Sequence, residues 1–159
     1  MDATVKLTGV EELEKRLSQL EFRIGRRAAS RALRKGANVI RDIARQNAQR
    51  IDDPETREVI AKNITTQAGS SRRQKAEKAV IMRVGVMGGA RLKRGDLGLP
   101  GGNTTHWKFL EFGTSQARAQ PFLRPAIASG AERAISTVIA ALGPEIDKEI
   151  QRMGVPSGP

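Results

Sequence analysis

Two neighbouring stretches, Trp107–Thr114 (WKFLEFGT) and Gln120–Ala126 (QPFLRPA), hold most of the aromatic residues of this chain. They contain three of its four phenylalanines and its single tryptophan, and the chain has no tyrosine. Aromatic side chains bury the largest apolar areas, so this concentration predicts a packing centre. We expect Phe109, Phe112 and Phe122 to be buried in it.

The same stretches predict a strand–loop–helix unit. The apolar run His106–Phe112 is typical of a strand and ends at Gly113, for which we expect a positive φ. A polar loop over Thr114–Gln120 follows. Pro121 then begins a helical pattern that reaches Met153, since proline suits the first turn of a helix. Within this pattern, Pro144 is expected to kink the helix or to restart it.

The rest of the chain adds short strands and long helices. Alternating apolar residues predict strands at Thr4–Thr8, Val59–Gln67 and Ala79–Met87, and helical spacing predicts helices at Val10–Ile24 and Arg26–Arg50. In the second of these helices, small residues such as Gly36 should let another element approach closely. The expected fold is α+β, with a small, mostly antiparallel sheet packed against two to three long helices. It should form a single domain over residues 1–153, with a disordered tail at 154–159.

A glycine-rich loop at Gly88–Thr105 is the longest segment without a periodic pattern. Loops of this length are usually functional or disordered, so we expect a flexible docking segment. Its cations, Arg91, Lys93 and Arg94, would meet acidic groups of a neighbouring protein. Its leucines, Leu92, Leu97 and Leu99, would supply the apolar contact. The alternative is an inert insertion.

Glu111 is the most interesting carboxylate, because it lies within an apolar run. It is expected to pair with Arg118 or Arg124, or to face solvent at a subunit contact.

The charge of the chain indicates an anionic partner. Its 28 lysines and arginines exceed 17 acidic residues and give a net charge of +11. Such a charge favours nucleic acid, anionic lipid or an acidic protein surface. Six arginines crowd the long helix and are candidates for facing DNA: Arg26, Arg27, Arg31, Arg34, Arg41 and Arg45. A basic helix face is more often merely solvated, and no groove-entering motif accompanies this one, so sequence-specific recognition is not expected.

The sequence offers no set of residues for catalysis, a cofactor or a metal. There is no cysteine, and His106 is the only histidine, which excludes thiolate and histidine-cluster metal sites. The glycine-rich segments match neither a P-loop nor a dinucleotide-binding pattern. No apolar run approaches the roughly 20 residues of a membrane span, so a soluble protein is predicted.

The two aromatic stretches also resemble a family signature. The pattern aromatic-E-F-G-T, followed by P-F-L-R-P-A, is similar to that of the small tail-component proteins of long-tailed, lambdoid-type phages, the head–tail joining or tail-completion family. The segment VKLTGVEELEKRL at Val5–Leu17 adds to the resemblance. One departure is DPETREV at Asp53–Val59, where many members have a proline followed by T-G-x-L and a cation. The signature positions are Trp107, Phe109, Phe112, Gly113, Pro121, Phe122, Arg124 and Pro125.

This resemblance implies a non-enzymatic structural protein of the virion at the head–tail junction. It implies a ring of identical subunits, sixfold as in phage tails, that docks neighbouring neck and tail proteins. It is compatible with a non-specific contact to packaged DNA, with no membrane partner, and with assembly in the host cytoplasm. The alternative is a free, non-specific DNA-binding protein that uses the basic helix.

Overall fold

The computed structural model describes residues 11, 22–52, 55, 58–88 and 98–153. Five helices and two strands follow one another within the ranges 22–52, 58–88 and 98–153. In chain order they are α1 (Phe22–Gln49), α2 (Ile60–Asn63), β1 (Ile64–Ala68), α3 (Ser71–Ala76), β2 (Met82–Val86), α4 (Trp107–Phe112) and α5 (Leu123–Arg152).

The two long helices α1 and α5 pack against each other in antiparallel directions. Near the start of α1, Arg27 lies 3.9 Å from Glu149 late in α5, and near its end Asn47 donates to the carbonyl of Phe122, just before α5. Buried residues recur at every fourth position of α1 and, after Ile24, are small. This spacing is that of a ridge along the helix surface, which fits the groove of a partner helix. Its fully buried alanines are Ala28, Ala32, Ala44 and Ala48.

Two glycines allow the helices to come this close. A Cβ on Gly36 would lie 2.4 Å from Cγ2 of Val138 and 2.7 Å from the carbonyl oxygen of Ala134. A Cβ on Gly130 would lie 2.7 Å from Cδ1 of Ile43. The predicted close approach at Gly36 is confirmed.

The sheet consists of β1 and β2 paired antiparallel, with Ile64 opposite Val86 and Ala68 opposite Met82. Its end with Ile64 and Val86 packs against the C-terminal half of α1. The core there contains Phe122, Ile60 and Ile64, all at most 1% exposed. The prediction of a small antiparallel sheet with long helices is confirmed.

The predicted strand at His106–Phe112 is wrong, because residues 107–112 form helix α4. Its inward side carries Trp107, Leu110 and the buried Glu111, which are three and four residues apart as in a helix. Strand alternation would have placed Phe109 on the same side as Trp107 and Glu111. A mostly apolar run of six residues is too short for its periodicity to distinguish a strand from a helix segment.

The predicted strand at Val59–Gln67 is only half correct. Its first residues form α2, since the carboxylate of Asp52 accepts the backbone N–H groups of Ile60 at 2.9 Å and Ala61 at 3.1 Å. A carboxylate at these free donors stabilises a helix start. The strand then begins at Ile64.

Other boundaries differ less. α1 already begins at Phe22 and runs through Gly25, α3 lies in the connection before the second strand, and α5 continues unbroken through Pro144. The predicted strand Thr4–Thr8, most of the helix Val10–Ile24 and the tail at 154–159 lie outside the described residues.

The second half of the glycine-rich loop, residues 98–105, is fastened to α2. The buried side chain of Asn63 accepts the N–H of Gly101 at 2.8 Å and donates to Gly102 O at 2.9 Å and Thr104 Oγ1 at 2.7 Å. The backbone of Val59 also donates to Gly101 O at 2.8 Å. A Cβ on Gly101 would lie only 2.0 Å from Val59 O, so this approach requires glycine.

Candidate functional site

Glu111 connects the two aromatic stretches by capping α5. Its carboxylate accepts the backbone N–H groups of Phe122 at 2.8 Å, Leu123 at 2.9 Å and Arg124 at 3.0 Å. These donors have no partner inside the helix they begin. The Arg124 side chain completes the arrangement, with Nε 3.2 Å from the carboxylate and Nη2 donating to Glu111 O. Glu111 therefore acts as the helix cap that α5 does not supply itself.

Glu111 is buried and its ionised form is stabilised by hydrogen bonds. Burial alone would raise its pKa, but the backbone donors of Leu123, Phe122 and Arg124, together with the Arg124 guanidinium, lower the pKa below the ordinary 4.5. The predicted pairing with Arg124 is confirmed. The alternative, in which Glu111 faces solvent at a subunit contact, does not match a residue that is 1% exposed.

The loop between α4 and α5 is closed at both ends. Gly113, with φ 76° and ψ −179°, ends α4 and donates its N–H to Phe109 O at 2.8 Å. This conformation is open almost only to glycine, so the predicted positive φ is confirmed. Gln120 N donates to Leu110 O at 2.7 Å, and the hydroxyl of Thr114 accepts the N–H of Ala117 at 2.9 Å.

The aromatic residues of the two stretches divide into a buried and an exposed pair. Phe122 is fully buried and meets Trp107 edge to face, with ring centroids 6.5 Å apart. Phe109 is 43% exposed and Phe112 is 66% exposed. The prediction that all three phenylalanines are buried is therefore wrong for Phe109 and Phe112, because these two residues, three apart, both lie on the outer side of helix α4.

We call Phe109, Phe112 and Ile127 the aromatic surface. Ile127 is 56% exposed and lies one turn along α5 from Arg124. Each ring carries a cation: Lys108 Nζ lies 4.9 Å from the centroid of Phe109, and Arg124 Cζ lies 5.4 Å from that of Phe112. A cation over the face of an aromatic ring is attracted by the negative charge of that face. The surface thus combines apolar area with positive charge.

Of the six candidate residues in the glycine-rich loop, the structure describes one, Leu99. Arg91, Leu92, Lys93, Arg94 and Leu97 lie outside the described residues. Leu99 is half-buried and borders a cleft of about 550 Å³ along the sheet.

The candidate DNA-facing arginines of α1 differ in whether they are bonded to other groups of the chain. Arg45 donates from Nε at 3.0 Å and Nη2 at 2.7 Å to the carbonyl of Ile64, and so joins α1 to β1. Arg41 pairs with Asp42 at 2.7 Å. Arg31 bonds Glu149 and lies 3.7 Å from Glu145. Arg45, Arg41 and Arg31 are therefore used within the chain.

The remaining three arginines, Arg26, Arg27 and Arg34, border a groove together with Ser30, Arg31 and Met82. We call it the arginine groove; its volume is about 460 Å³.

Two buried carboxylates between α1 and α5, Glu145 and Glu149, were not predicted from the sequence. Lys35 bonds Glu145 at 2.8 Å, and this bond is the main reason that the pKa of Glu145 is lowered. A signal was present in the sequence. The two acids are four residues apart, as are the cations Arg27, Arg31 and Lys35 that face them from an antiparallel helix.

His106 lies before α4, and its Nδ1 is 3.3 Å from a carboxylate oxygen of Glu58. Within the described residues, no group of three or more His, Cys, Asp or Glu side chains could hold a metal ion. No helix in the same part of the chain is long and apolar enough to cross a membrane.

The comparison with known families agrees with the signature. A model of the HK97-gp10-like family, described as "Bacteriophage HK97-gp10, putative tail-component", matches residues 11–113, well over half of the chain. The match includes α4 and ends at Gly113. Neither a curated protein nor a solved structure matches. The chain belongs to the HK97-gp10-like family of phage tail components.

Proposed function

We propose that this tail component is a non-enzymatic ring subunit at the head–tail junction, of the connector or tail-completion type. It acts by assembling with copies of itself, in a ring of six, and by docking neighbouring neck and tail proteins. The supporting observation is the aromatic surface, where Phe112 is 66% exposed within the family signature. Exposed aromatic and apolar side chains of this size are typical of protein interfaces.

A ring can form when one surface of a subunit binds a different surface of the next subunit. Such head-to-tail contacts close into a ring when the rotation between subunits divides a full turn. The resemblance to the tail-completion family supplies the sixfold number. We expect the aromatic surface to form one side of this contact, because its apolar side chains would be buried by a neighbour.

The test is native mass spectrometry of the purified protein, together with electron microscopy and mass spectrometry of mature virions. We expect a closed oligomer and a component located at the head–tail junction. The substitution Phe112→Ser should leave the protein folded and prevent oligomer formation, while Arg118→Gln, an exposed change in the neighbouring loop, should not. Absence of the protein from mature particles would contradict the proposal.

The segment 91–99 is proposed as a second contact, to a neighbouring ring. Its three cations and three leucines combine charge with apolar area, as the rim and centre of an interface do. Deletion of residues 92–99 should leave a folded protein that no longer joins heads to tails. Normal titres of the deletion mutant would mean that the segment is an insertion without this role.

The alternative is a free, non-specific DNA-binding protein, and the arginine groove is the observation that favours it. The virion experiment separates the two possibilities, because a free DNA-binding protein would be found in infected cells and not in mature particles.

A further inference from the structure

The cations of α1 differ in how much of their charge is neutralised. Arg31 and Lys35 face the buried carboxylates of Glu145 and Glu149. Arg26 instead donates to the neutral side-chain amide of Gln74 in α3 at 3.1 Å, which positions the guanidinium without cancelling its charge. Arg34 is exposed and has no ion pair with a described carboxylate. Positive charge that is not neutralised by a described carboxylate is thus left on the N-terminal half of α1.

Arg27 adds to this excess. Its side chain is 64% exposed and lies 3.9 Å from Glu149, a carboxylate that Arg31 and Arg152 approach more closely. Among the described residues that border the arginine groove there is no acid, and Met82 is the only apolar residue. The groove is therefore a concave site lined by several guanidinium groups, with a single apolar side chain among its described residues.

This composition favours phosphate over an acidic protein surface. Protein interfaces have a centre of apolar side chains, and the arginine groove has only Met82 to offer, whereas the aromatic surface has three such side chains. Guanidinium groups bind phosphate oxygens through paired, directional hydrogen bonds. Arg26 and Arg34 are eight residues apart, about 12 Å along the helix axis. That distance spans three to four phosphates of one DNA strand, at about 3.4 Å each along the duplex axis.

We infer that the arginine groove binds the phosphate backbone of duplex DNA, without sequence preference, through Arg26, Arg27 and Arg34. This adds a ligand to the proposed ring subunit and does not depend on the ring. Gln74 acts as a positioning residue, since it holds Arg26 at the edge of the groove. Arg31, Arg41 and Arg45, which are engaged within the chain, contribute little.

The experiment is a fluorescence-anisotropy titration of the full chain with two short duplexes of unrelated sequence, at salt concentrations between about 50 and 200 mM. The variants are Arg26→Gln, Arg27→Gln, Arg34→Gln and their combination. The control is Arg118→Gln, which removes the same charge from an exposed loop next to the opposite end of α5. Circular dichroism verifies that each variant is folded.

The two duplexes should bind equally. Each groove substitution should reduce the slope of log affinity against log salt by about 1, and the triple variant by about 3, while Arg118→Gln leaves the slope unchanged. An unchanged slope in the triple variant would overturn the inference, as would an equal loss in Arg118→Gln. Binding of a polyglutamate peptide but not of DNA would assign the groove to an acidic protein instead. None of these outcomes depends on whether the protein is found in virions.

Discussion

Glu111 illustrates how a single residue can define a family signature. The first backbone N–H groups of α5 need an acceptor, and Glu111 supplies it from the preceding helix. The glycine that follows at 113 turns the chain, and Arg124 returns a hydrogen bond to the carbonyl of Glu111. The spacing of the signature therefore reflects one hydrogen-bonded unit.

The substitution Glu111→Ala should reduce the free energy of unfolding by about 1–3 kcal/mol, because it leaves buried backbone donors without an acceptor. Urea unfolding of the purified protein measures the change. Glu132→Ala, which removes an exposed carboxylate from α5, is the control and should have almost no effect. Equal losses in the two variants would show that Glu111 does not cap the helix.

The phenylalanines should respond in opposite ways to truncation. Phe122→Ala should destabilise the protein by about 3–5 kcal/mol, since it empties a fully buried site. Phe112→Ser should change the stability by less than about 0.5 kcal/mol, because its ring is mostly exposed. Thermal unfolding followed by circular dichroism compares them. A large loss of stability in Phe112→Ser would place this ring in the core.

A helix could be predicted from the sequence where its apolar residues repeat at helical spacing over several turns. α1 and the antiparallel strands follow from patterns in the sequence, and Gly36 indicated a close approach. α4 was not predictable as a helix, because a mostly apolar run of six residues is too short for its periodicity to distinguish a helix from a strand.

The buried side of α5 was also unpredictable from apolar residues alone. Its large isoleucines 127 and 135 are exposed, while Ala126 and Gly130 are buried. Small residues are needed where α5 packs closely against α1. The sequence of α5 alone does not show where that contact lies. The buried Glu145 was missed for the same reason, since its cation lies on the other helix.

The point at which α1 and α5 approach most closely can be tested with two Gly→Ala substitutions. Both change the helix propensity by the same amount. Gly36→Ala should cost about 1–3 kcal/mol, because the new methyl group meets the backbone oxygen of Ala134, which cannot easily move. Gly130→Ala meets only the Cδ1 atoms of Ile40 and Ile43, which can rotate away. Its stability should stay within about 1 kcal/mol of the parent, since alanine also favours the helix by about that amount.

Chemical denaturation of both variants measures this difference. If Gly130→Ala were the more destabilised variant, the closest approach of the two helices would lie at Gly130 and not at Gly36.

At the scale of the whole molecule, the positive charge is unevenly distributed. The two buried acids neutralise the middle of the α1–α5 contact, and the arginine groove keeps its cations. The aromatic surface belongs to α4 and the first turns of α5, whereas the groove lies near the start of α1, which packs beside the end of α5. A neighbouring protein and DNA could therefore be bound at the same time.

Stability should depend on pH in the acid range. The pKa values of Glu111 and Glu145 are lowered in the folded protein, from an ordinary 4.5. Their contribution is therefore fully present above the unfolded value of 4.5 and is lost as the pH falls through the lower folded values. Urea unfolding at a series of pH values should show falling stability below 4.5.

The double variant Glu111→Gln with Glu145→Gln should have a weaker pH dependence than the parent over this range, and Glu132→Gln should match the parent. A parallel dependence in the double variant would mean that other carboxylates cause the acid unfolding.

The loop at residues 113–120 offers a practical route to locating the subunit. Its ends are fastened by hydrogen bonds to α4, and Ser115 between them is exposed. Because the natural chain contains no cysteine, Ser115→Cys would give it a single thiol. A maleimide-linked gold particle or fluorophore at this thiol should leave the melting temperature unchanged. Seen in assembled particles, the label would measure how far each copy's α4 lies from the tail axis.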